Sequence, residues 1–95
     1  MDERITAKTV TFSYSFDLRG VGGRQAAGAY LVESTEERLE TMLFPAFRRK
    51  STVIHVPGIP GTTRVVAIDP DDLERALEKD RKAERLGASR KEYSL

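Results

Sequence analysis

The chain has 95 residues, 39% of them apolar and 33% charged, with a net charge of +1, a single histidine and no cysteine. That length makes one domain, and the missing cysteines exclude disulfide scaffolds, thiolate metal sites and cysteine nucleophiles. His55 alone excludes any site built on two imidazoles; no run reaches the ~18 apolar residues that span a bilayer, and the charged start MDERITAKTV is unlike a signal peptide, so a cytoplasmic chain is expected.

The first pattern is strict alternation, with Val10, Phe12, Tyr14 and Phe16 set against Thr9, Thr11, Ser13 and Ser15. A period of two marks a strand with one buried face, and the four apolar side chains are expected in the core. RGVGGRQ, with Gly20, Gly22 and Gly23, supplies a turn. AGAYLVE (27–33) is then the returning strand of a hairpin. Ser34, followed three residues later by Glu37, has the spacing of a capping box. Leu39, Met42 and Leu43 at i, i+3 and i+4 add one apolar stripe, so a short helix is predicted there, ended by Pro45.

A third strand is predicted around Lys50–Val56 and a fourth over TTRVVAI (62–68), joined by the loop PGIPG. Asp69 reads as the cap of a second helix with Pro70 at its first position. Leu73, Ala76 and Leu77 are its buried stripe, Asp80 interrupts that stripe, and Gly87 is read as the stop. The predicted fold is α+β in the order ββαββα: a four-stranded antiparallel sheet with two helices packed on one face. One domain is expected over 1–87, with a mobile tail over 88–95.

Charge is balanced along the chain except between residues 46 and 68, which hold Arg48, Arg49, Lys50 and Arg64 and no acid. Such a cluster suits a phosphate backbone. Adjacent strand residues alternate faces, however, and edge bases also keep a strand soluble. Base stacking needs aromatics on an open sheet face, whereas Phe12, Tyr14 and Phe16 are expected inside. The glycine-rich RGVGGR fits neither phosphate-loop pattern, which leaves Arg19 and Arg24 as a secondary anion contact.

His55, amid Val53, Ile54 and Val56, has no carboxylate near it in the chain and reads as structural or as part of the same contact surface. Capping explains Asp69, Asp71 and Asp72, which lack the spacing of a calcium loop. No metal or cofactor is expected, and no recognisable nucleophile points to an enzyme. The reading that follows is a small non-catalytic protein-binding module, a regulator, inhibitor or assembly subunit. It would act through its sheet and the basic hairpin 47–64 and self-associate as a homo-oligomer. The alternative is a nucleic-acid-binding protein contacting phosphates through Arg48, Arg49, Lys50 and Arg64.

Overall fold

The structure is a computed structural model that describes residues 3–39 and 46–93, the side chains of 88–93 excepted. Four strands, β1 (Glu3–Phe12), β2 (Gly28–Leu39), β3 (Ala46–Pro57) and β4 (Thr63–Ala67), form one antiparallel sheet in the order β1-β2-β3-β4. One helix among the described residues, α1 (Pro70–Tyr93), follows. The side chains facing it include Val10, Phe12, Tyr30, Val32, Ile54 and Val56, all buried. They alternate along each strand with exposed or half-exposed neighbours, as a sheet covered on one face requires.

The predicted order is thereby corrected to ββββα, with one helix where two were expected. Residues 34–39, read as a helix start, are the distal part of β2. Ser34 pairs with Thr6 on one side and Thr52 on the other, and Glu36 pairs with Arg4 and Arg49. A capping box satisfies two N–H groups of a short helix that is marginal by itself. Ladders on both sides engage residues 34–37, and β3 alone pairs with Arg38 and Leu39, so tertiary pairing overrides the local signal. Leu39 belongs to β2, while Met42, Leu43 and Pro45 of the expected helix lie outside the described residues.

Alternation in the first strand holds only as far as Phe12. The chain then turns, leaving Tyr14 43% exposed, and Phe16 forms an isolated bridge to Gln25. Phe16 stacks on Phe12 at 3.6 Å between ring centroids, and Tyr30 meets both rings edge-on. The Tyr30 hydroxyl donates to the Ala26 carbonyl at 2.6 Å, which satisfies its polar end. Leu18 and Val21 bring residues 13–27 over this cluster, and Leu73 closes it from the helix. Full burial of each such side chain contributes about 1.5–3 kcal/mol.

Gly20 lets the loop press against β4. Its φ is +93°, and a β-carbon there would sit 3.4 Å from the Ala67 carbonyl oxygen. The helix starts as expected, with Asp69 accepting the Asp71 N–H at 2.8 Å and Pro70 in the first turn. It continues through Gly87, the expected stop, to Tyr93.

The molecule is elongated. Its radius of gyration is 17.1 Å, against about 13 Å for a compact chain of ~100 residues. The distal halves of β1, β2 and β3 run past the helix as a three-stranded arm on which both faces are largely open to solvent.

Candidate binding surfaces

The sheet face turned away from α1 crosses all four strands. Register places Thr9 beside Leu31 and His55 beside Val65, with Ala7, Glu33, Val53 and Ala67 in the next row and Ile5, Thr35 and Ser51 beyond. Three apolar side chains stand well out of this surface: Ile5 at 66%, Leu31 at 39% and Val65 at 57% exposure. The remainder are small or β-branched residues, so the surface is broad and nearly flat. Near its middle the His55 imidazole Nε2 meets the Glu33 carboxylate. Glu33 is thus the orienting acid that proximity in the chain could not reveal, because it arrives from β2.

The basic cluster is divided by one extra residue. Thr35 faces Ser51 and Glu36 faces Arg49, so Lys50 forms a bulge in β3. A bulge re-aims the side chains on either side of it. Arg49 consequently joins the face of Thr52 and Leu73, both of which line a small cleft with it. Arg48 joins the opposite face, where its guanidinium meets Glu37 at 2.9 Å, and Lys50 reaches Glu3 at 3.5 Å. The acid-free segment therefore finds its acids across the sheet.

Arg4 repeats the arrangement on the helix side of the arm. Its guanidinium pairs with Glu36 at 3.2 Å and lies 3.8 Å over the Phe47 ring. Arg64 does not join the cluster. It pairs with Val56 near the far end of β3, and its guanidinium donates to the Val21 carbonyl at 3.3 Å.

Arg19 and Arg24 diverge in the same way. Arg24 is held by Asp17 at 2.9 Å and by the Ser15 hydroxyl at 2.9 Å. It lines a cavity of about 290 Å³ with Tyr14, Phe16, Lys79 and Asp80. Arg19 instead faces an open cleft at the start of α1, which Arg49 also lines.

Asp80, an interruption in the helical stripe by sequence, is an anchor in the structure. Only 8% exposed, its carboxylate accepts the N–H of Ser13 at 2.8 Å and of Tyr14 at 3.0 Å. It fixes the turn out of β1 onto the helix. The side of α1 turned away from the sheet is solvated. Arg81 hydrogen-bonds Glu78 at 2.8 Å and holds its carboxyl below the ordinary carboxylate range, in a pair that is fully exposed and marks no site.

Among the described residues no group of His, Asp or Glu is placed to hold a metal ion, and no helix is long and apolar enough to cross a membrane. Comparison with protein-family models, with curated proteins and with solved structures finds no match.

Proposed function

We propose that the protein is a non-catalytic protein-binding module that self-associates through the uncovered face of its sheet. The observation that carries this reading is Leu31, Val65 and Ile5 with Val53 nearby, apolar side chains left standing around the His55–Glu33 pair on a face that no described element covers. A flat sheet face of small residues suits stacking of a second sheet at ~10 Å. A two-fold axis would let the same surface serve both copies. The hairpin 47–64 contributes Val53 and His55 to it.

The nucleic-acid alternative has less support. Arg48 and Lys50 are matched by Glu37 and Glu3, Arg64 lies apart, and Phe12 and Phe16 are buried rather than open to bases.

Sedimentation equilibrium of the full chain tests the reading. A dimer is expected, and Leu31→Lys with Val65→Lys should convert it to a monomer whose circular dichroism is unchanged. A strict monomer at every accessible concentration overturns self-association. A salt-sensitive retardation of nucleic acid, lost in Arg48→Glu with Arg49→Glu, would put the alternative in its place.

A further inference from the structure

Arg19 and Arg49 share a property that sets them apart from the other arginines with described side chains. Arg4, Arg24, Arg48, Arg64, Arg75, Arg81 and Arg85 each have a hydrogen-bond or ion-pair partner, and Arg38 is also engaged. Among the described residues Arg19 and Arg49 have none. Both line one open cleft of about 730 Å³ beside the start of α1.

They reach it from separate parts of the chain, each by a specific device. The loop that carries Arg19 is held to β4 by the close approach of Gly20 to Ala67 and by the Arg64 guanidinium on the Val21 carbonyl. Arg49 is turned to this side by the bulge at Lys50. Without that extra residue, strand alternation would send it to the opposite face.

The other charges lining the cleft are committed. Lys50 pairs with Glu3, Asp72 with Arg75, and Asp69 accepts the Asp71 N–H as the helix cap. Two arginines without a partner among the described residues therefore line a space large enough for a small ligand. Paired guanidinium groups match the geometry of a phosphate, which they grip through charge-assisted, bidentate hydrogen bonds. The Asp69 and Asp72 carboxylates share the cleft and disfavour a ligand that is anionic throughout, such as a nucleic-acid strand. They favour one whose other end offers hydroxyl donors.

We propose that this cleft binds a small phosphate monoester carried on a hydroxylated body, with the phosphate held between Arg19 and Arg49. Ser51 and Ala67 of the outer sheet face also line the cleft, whereas Ile5, Leu31, His55 and Val65 do not, so the Leu31→Lys, Val65→Lys chain separates its occupancy from the proposed self-association.

A nitrogen-15 NMR titration of the full chain with ribose 5-phosphate, in about 0.15 M salt, tests the assignment. Saturable shifts are expected at the Arg19 and Arg49 side-chain Nε–H groups and at the Thr52 and Ile68 amides, with none for ribose. Arg19→Ala and Arg49→Ala should each weaken binding by about tenfold or more. Arg49→Lys, which keeps the charge and loses the fork, should weaken it several-fold, while Arg48→Ala leaves it unchanged. Absence of a saturable shift overturns the proposal. So does binding that survives both alanine variants with their amide spectra otherwise native, or a loss in Arg48→Ala equal to that in Arg49→Ala while the amide spectrum of Arg48→Ala stays native.

Discussion

The three long strands change chemistry halfway along. In the half beneath α1, Val10, Phe12, Tyr30, Val32, Ile54 and Val56 fill a continuous core. In the arm, the same strands carry Arg4 against Glu36, Lys50 against Glu3 and Arg48 against Glu37, with neither face covered by a described element. The backbone ladder runs through both halves without interruption from Glu3 to Phe12. Exposed ion pairs contribute about 0–1 kcal/mol each, far less than buried side chains, so the arm owes its order to continuity with the covered half. A sheet can therefore extend well past its core provided cross-strand pairing keeps its charges matched.

One residue type removed from each half gives the largest contrast. Ile54 is 0% exposed and Ile5 66%. In the Leu31→Lys, Val65→Lys background, where self-association makes no contribution, Ile54→Ala should lower the unfolding free energy by about 2–5 kcal/mol. Ile5→Ala should change it by no more than about 0.5 kcal/mol. Urea unfolding measures both. A comparable loss at Ile5 would mean that something covers the arm and that the two halves do not differ as described.

The same contrast explains what could be read from the sequence. Where a strand packs on the core, side-chain alternation reports it, which is how Val10, Phe12 and the strands around Tyr30 and Ile54 were legible. The helix from Pro70 was legible as well, since its cap, first-turn proline and Leu73 stripe are all local. Among the described residues of the arm none is fully buried, so the period-two signal vanishes. Ser34 and Glu37 then imitate a helix cap, although what organises Glu36 and Glu37 is a pair of arginines 32 and 11 residues away. Glu33 beside His55 and the convergence of Arg19 with Arg49 were hidden for the same reason. Cross-strand register brings Glu33 to His55, and the bulge at Lys50 decides which face Arg49 takes. Composition indicated the 46–68 segment as an unusual surface and alternation that its bases would be divided between two faces, but not the bulge that decides which base takes which face.

Asp80 is the exception within the covered half, a charge serving where apolar groups predominate. Its carboxylate accepts two backbone N–H groups at the point where β1 ends. Asp80→Ala should cost about 2–3 kcal/mol, since two amides lose a charged acceptor. Asp80→Asn, which retains one acceptor oxygen, should cost roughly half as much. Thermal or urea unfolding separates the two variants. Equal and negligible costs would show that the turn is held by Phe16 and its bridge to Gln25 alone.

The smallest expected effect belongs to the arm and bears most directly on how it is held. Arg48 and Glu37 are directly opposed, 2.9 Å apart and exposed to solvent. If the pair merely neutralises charge, a double-mutant cycle through Arg48→Ala and Glu37→Ala should return a coupling of about 0.2–1 kcal/mol that fades as salt is raised. If the pair instead fixes the register beyond the bulge, its removal would let β3 slip by one residue. That slip would return Arg49 to the outer face. The coupling would then exceed the range for exposed pairs and persist in salt, and the phosphate response of Arg49 would disappear along with Arg48. The cycle and the titration together thus distinguish an arm held by its backbone ladder from one held by its charges. The unbroken pairing of β1 with β2, and the resumption of β2–β3 pairing beyond the bulge as far as Leu39 and Ala46, favour the ladder.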